Sequence, residues 1–143
     1  MGAGVACACV LAWFAALTVY DIRQRRLPNA LTLPGAAVVL AVSVVTGRGV
    51  PALIGALALA LFYLGVHLAA PAGMGAGDVK LAIGVGALTG SFGVDAWVLA
   101  ALGAPMLTAT WAVAVALRGR DATVPHGPSM CAAAAVAVAL VVI

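Results

Sequence analysis

An all-α integral membrane protein with six transmembrane helices is predicted by three features of the sequence. Hydrophobic residues fill 66% of its 143 positions, whereas charged residues fill 8%, against about 25% in soluble globular domains. Mean hydropathy is +1.23, more apolar surface than one aqueous core of this size can bury. The few Asp, Lys and Arg residues cut the chain into six charge-free runs at 1–20, 27–47, 49–77, 81–94, 96–117 and 122–143. About 20 helical residues cross the roughly 30 Å hydrocarbon layer, and five of the six runs are long enough.

The first run ends at Tyr20 and Asp21, and lacks the basic start of a cleaved signal peptide, since Met1 to Ala6 carries no Lys or Arg. The second opens at Leu27-Pro28-Asn29, where Asn29 suits a helix N-cap, and contains Pro34, a kink site. The third carries His67 near its far end and runs on through Gly73, Gly75 and Gly77. The fourth is short and reaches spanning length only if its helix begins near Asp78, with Lys80 snorkelling to the interface and neighbouring helices closing in. Its Gly86 and Gly90 have the spacing that lets helices approach closely. The fifth lies between Asp95 and Arg118, with Trp97 placed as an interfacial anchor, and Asp95 and Asp121 read as solvated charges of opposite connecting loops. The sixth follows Asp121 and Pro125-His126-Gly127-Pro128, and nothing marks a second domain within 1–143.

Alternation puts segments 21–30, 71–80 and 118–128 on one side and segments 47–51 and 90–95 on the other. The first set holds Arg23, Arg25, Arg26, Lys80, Arg118 and Arg120, and the second only Arg48. The positive-inside bias makes the first set cytoplasmic and both termini extracytoplasmic. The chain is thus expected to be a multi-pass protein of the cytoplasmic (inner) membrane. A net charge of +3 does not define a nucleic-acid-binding face. Cys7, Cys9 and Cys131 form no C-x-x-C pair and read as small hydrophobes, so neither a metal nor a cofactor is expected.

Carboxylates at the edge of a span are functional suspects, because even at a helix centre they cost about 2.5 to 3.5 kcal/mol to insert. Asp21 ends the first span, and Asp78 follows the glycine-rich turn Gly73-Met74-Gly75-Ala76-Gly77 at the start of the fourth, on the same cytoplasmic face. Two carboxyls sharing one site share a proton, and one can then act as base while the other acts as acid. The glycines would let an extended peptide approach. Two other readings stand beside this one: Asp21 and Asp78 pair with Arg23 and Lys80 at the interface, or they serve a membrane carrier, channel or assembly subunit.

Gly75-Ala76-Gly77-Asp78-Val79-Lys80-Leu81 resembles the G-x-G-D-x-K-L motif of the prepilin peptidases, or type IV leader peptidases. Asp21 with Arg25-Arg26-Leu27-Pro28-Asn29 resembles the stretch carrying that family's first catalytic aspartate. Pro125-His126-Gly127-Pro128 resembles its late P-x-G-P element, although His126 stands where an aromatic residue is frequent. The resemblance implies an intramembrane aspartic endopeptidase that removes basic leaders from prepilins or pseudopilins at the cytoplasmic membrane face. It implies Asp21 and Asp78 as catalytic residues, with Gly75, Gly77, Lys80, Pro28 and Asn29 shaping the site or contacting substrate. Longer members add a region with paired cysteines and methylate the new pilin terminus; Cys7 and Cys9 cannot stand in for it, so a short peptidase without methyltransferase is expected, like those serving Flp-type pili. His67 is a packing or headgroup-contact residue or a modulator of the aspartates, and a nucleophilic pair of Cys131 with His126 is disfavoured because little there would activate a thiol.

Overall fold

The computed structural model describes residues 2–121 and 123–143; Met1 and Ala122, each the first residue of a charge-free run, lie outside the described residues. Six helices follow one another: α1 (Gly2–Gln24), α2 (Asn29–Val45), α3 (Gly49–Ala69), α4 (Ala76–Ser91), α5 (Val94–Ala116) and α6 (Gly127–Val142). The described residues contain no strand. The all-helical expectation therefore holds, with a correction in length. Only α1, α3 and α5 are both long and apolar enough to cross a bilayer unaided, while α2 and α6 are shorter apolar helices. Turns consume the rest of those two runs: Pro28 is extended ahead of α2, Gly47 takes a positive φ of 75° after it, and α6 starts only at Gly127-Pro128.

The bundle is built around α4, which packs against α2, α3, α5 and α6, while α1 docks on α6 and α2. This placement explains why α4 can be short and glycine-rich. Leu81, Ala82, Gly84, Val85, Gly86, Ala87, Thr89 and Gly90 are buried, so α4 is enclosed by protein where the outer helices carry exposed apolar faces. Lipid tails are as apolar as Leu, so helix association here relies on close packing. The seam between α3 and α4 shows it: a Cβ on Gly90 would fall 2.7 Å from the carbonyl oxygen of Pro51, and Gly55 and Gly86 each press on the other's carbonyl. Gly84 makes a second close approach, with a Cβ there falling 2.7 Å from the Trp13 ring.

Polar groups inside the bundle are satisfied locally, as a low-dielectric surrounding demands. The Thr89 and Ser43 hydroxyls donate to carbonyls one turn back at 2.8 Å each, and no buried side-chain polar atom among the described residues lacks a partner. Trp13 Nε1 donates to the Leu31 carbonyl at 2.9 Å, three residues before Pro34, where the proline ring disturbs the helical ladder. Trp97, expected as an interfacial anchor, instead turns inward and donates to the Gly55 carbonyl at 3.0 Å, bracing the α3–α4 seam.

Asp95 departs from its assignment to a loop. It lies in the first turn of α5, exposed, where a negative charge suits the helix N-terminus. Asp121 is exposed outside the helices, as expected. The cysteines divide, Cys7 and Cys9 being exposed on α1 and Cys131 buried in α6.

Candidate active site

The C-terminal ends of α1, α3 and α5 meet the N-terminal ends of α2, α4 and α6 at one end of the bundle. Long-range bonds demonstrate the grouping. Gly127 N donates to Asp21 Oδ2 at 2.9 Å, and Lys80 Nζ donates to Asn29 Oδ1 at 2.7 Å. At the other end the Arg48 guanidinium covers the Phe92 ring at 5.4 Å, joining the α2–α3 and α4–α5 turns. The loop pairing deduced from alternation is thereby reproduced.

Asp21 lies in the last turn of α1 with 7% of its surface exposed. Its helix ends because Arg25 turns into the left-handed region, φ 52°, while the Arg25 N–H still bonds the Asp21 carbonyl at 2.9 Å. Arg25, rather than the Arg23 weighed from sequence, is the cation whose charge reaches the Asp21 carboxylate. Gly127 approaches so closely that a Cβ there would lie 2.6 Å from Asp21 Oδ2.

Asp78 lies in the first turn of α4, partly buried, its N–H bonded to the Gly75 carbonyl at 3.1 Å. The charge of Asp21 acts on Asp78, and both act on the Cys131 thiol, so the carboxyls share one locale. The two motif glycines do different jobs. A Cβ on Gly75 would crowd Asp78 Oδ2 at 3.3 Å, whereas one on Gly77 would meet Leu27 Cβ at 3.0 Å. Gly75 thus leaves room for the carboxylate, and Gly77 seats α4 against the α1–α2 turn.

Lys80 reaches across to Asn29 and so ties α4 to the start of α2. Asn29 was expected as an N-cap. The cap position is instead Pro28, with no side-chain cap, and Asn29 is the first helical residue with its amide oxygen given to Lys80.

Sequence reasoning left both histidines without a firm place, and the structure supplies one for each. A carbonyl can only accept, so His67 donates from Nδ1 to the Met74 carbonyl at 2.6 Å and clamps the glycine-rich turn before Asp78. His126 lies between Tyr63 Oη, 2.7 Å from Nε2, and Thr108 Oγ1, 2.6 Å from Nδ1. Both ring nitrogens are occupied, which removes His126 as a base for Cys131. Burial also pushes His126 down to about 4, so the ring is neutral near pH 7. Tyr63 and Thr108 had no local signal in the sequence, since they lie 63 and 18 residues from their partner.

No group of three or more Cys, His, Asp or Glu that could hold a metal ion occurs among the described residues. Two acids at one end of an apolar bundle, one reached by a backbone amide and one in a glycine-flanked turn, are suited to proton transfer to and from a bound substrate. Residues 8–143 match the family model of the type IV leader peptidase family. No curated protein and no solved structure matches the chain.

Proposed function

This chain belongs to the type IV leader peptidase family, and we propose that it is an aspartic endopeptidase in which Asp21 and Asp78 form one catalytic unit. The observation that carries the proposal is their convergence: two carboxyls 57 residues apart in sequence lie at the same end of the bundle, with Asp78 within reach of the Asp21 charge. In this reading one carboxylate takes a proton from water as the oxygen attacks the peptide carbonyl, and the other carboxyl donates its proton to the carbonyl oxygen. The tetrahedral intermediate then expels the amine, which leaves with a proton returned by the first carboxyl, while one hydroxyl of the intermediate gives its proton back to the second carboxylate as the new carbonyl forms. Gly75 gives the Asp78 side chain its space, and Gly77, Pro28, Asn29 and Lys80 hold the α1–α2 turn against α4 beside it.

All six helices span the membrane in this proposal, with α4 shielded by its neighbours, both termini extracytoplasmic and the aspartates at the cytoplasmic face. The distribution of basic residues, six on the aspartate side and one opposite, supports that orientation. The substrate is a prepilin or pseudopilin of the Flp type, whose basic leader stays in the cytoplasm while its apolar helix enters the bilayer, so that its junction meets the dyad. Peptidase activity is proposed without N-methyl transfer, since Cys7 and Cys9 point outward from α1 and Cys131 is buried apart from them. Incubating the purified protein in detergent with an Flp-type prepilin and S-adenosylmethionine, then sequencing and weighing the product, tests both parts. A new, unmethylated N-terminus at the leader junction is expected; an intact prepilin refutes the peptidase, and a gain of one methyl group refutes the restriction.

A further inference from the structure

The hydrogen bonds around His126 are consistent with one continuous set of proton directions. Thr108 Oγ1 lies 3.1 Å from the carbonyl oxygen of Ala104, one turn back on α5, and a carbonyl only accepts. With the Thr108 hydroxyl proton given to Ala104, the hydroxyl oxygen accepts from His126 Nδ1 at 2.6 Å. A neutral imidazole protonated on Nδ1 has a lone pair on Nε2, which receives the Tyr63 hydroxyl proton at 2.7 Å. The run from Tyr63 through His126 and Thr108 to Ala104 thus joins α3 to α5 through the residue that precedes α6. One residue later, Gly127 sends its N–H to Asp21 Oδ2 at 2.9 Å. The peptide plane carrying that N–H begins at the His126 carbonyl carbon, so the seating of His126 sets the direction in which the amide points.

We propose that His126 is a positioning residue for Asp21: held in its Nδ1–H form by Tyr63 and Thr108, it orients the His126–Gly127 peptide so that the amide meets the Asp21 carboxylate. The proposal rests on Asp21 being half of the catalytic pair. His126 acts only through Gly127. Tyr63 is the anchor on α3, and its 2% exposure leaves its hydroxyl little alternative to Nε2.

Prepilin cleavage by the full chain in detergent, measured with thermal unfolding and ¹⁵N spectra of labelled histidine, tests this role. His126→Ala is expected to lower kcat about 100-fold with KM little changed, the scale of a catalytic group displaced by about 1 Å. His126→Asn keeps a donor where Nδ1 stood and His126→Gln an acceptor where Nε2 stood, so each should recover about tenfold of that loss. Tyr63→Phe should move the Nε2 resonance of His126 and lower kcat by up to about tenfold. A spectrum showing the proton on Nε2 overturns the proposal. So does a wild-type kcat in His126→Ala, even with a lowered melting temperature, because that pattern belongs to a structural residue alone. If His126→Ala does not fold, wild-type kcat in both His126→Gln and Tyr63→Phe overturns it equally. Asp21→Asn separates the two readings: full activity in that variant refutes the catalytic pair itself, whereas its loss beside unaffected His126 variants refutes only the positioning role.

Discussion

Asp21 ends a long helix and is held from afar, by an amide 106 residues away in sequence that approaches only because α1 docks on α6. Asp78 opens a short helix and is held from nearby, by the turn of Gly75 to Gly77 and by His67 gripping Met74. The first carboxyl depends on tertiary docking and the second on local chain geometry. Perturbations remote in sequence should therefore reach Asp21, whereas Asp78 should answer mainly to its own loop.

Removing either carboxyl is the most severe test of the pairing. Asp21→Asn and Asp78→Asn should each lower prepilin cleavage by at least about 10³-fold, and the double variant should be no worse, because members of one catalytic unit do not add. Equal losses with an additive double variant would break the pair into two independent sites.

Glycine substitutions rank next and set one aspartate against the other. A Cβ on Gly127 falls 2.6 Å from Asp21 Oδ2 and one on Gly75 falls 3.3 Å from Asp78 Oδ2. Gly127→Ala should therefore cost about 100-fold in kcat, and Gly75→Ala markedly less. The reverse order would show that Asp78 has the tighter setting. Gly77→Ala should act through Leu27 Cβ, so adding Leu27→Gly, which removes that atom, should recover more of the loss than adding Leu27→Ala in double-mutant cycles read by thermal stability.

The histidines allow a finer comparison through pH. The unfolded His126 imidazole binds a proton near 6.5 and the folded one near 4, so between these values the unfolded chain holds more protons. Stability from the neutral ring is thus complete above about 6.5 and is lost as pH falls toward 4. The stability advantage of the wild type over His126→Gln should narrow across that window, as read by thermal unfolding in detergent. His67→Ala removes one hydrogen bond from an exposed turn and should cost about 0.5 to 1.5 kcal/mol. Smallest of all, Asp95→Asn should leave cleavage unchanged and shift stability by less than about 1 kcal/mol.

The same contrast decides what the sequence alone could reveal. Charge-free runs located six helices because a charge is costly in hydrocarbon, and the Gly75–Asp78 turn was legible because its parts are neighbours. Asp21 was recognisable only beside the segment that follows it, and nothing within reach of local inspection linked it to Gly127. Spacing also misjudged Trp97: an aromatic near a helix end reads as an anchor, yet the small side of α3 at Gly55 offered its indole a carbonyl inside the bundle. Asn29 shows a residue one position inside the helix, past the cap at Pro28, whose amide oxygen serves a long-range bond to Lys80 instead.

The enclosure of α4 bears on how the chain enters the membrane during synthesis. A segment carrying Asp78, Lys80 and the glycines at 77, 84, 86 and 90 is a poor candidate for insertion by itself. Its partner α3 is strongly apolar and presents Gly55 to the glycines of α4. The two should therefore integrate together as a hairpin, and glycosylation-site mapping of truncated chains would show α4 crossing only when α3 precedes it. On the proposed pairing, Asp78 would reach its place as cargo of that hairpin, and the pair would be complete only after α6 has been made and the Gly127 amide has closed on Asp21, a delay between insertion and activity.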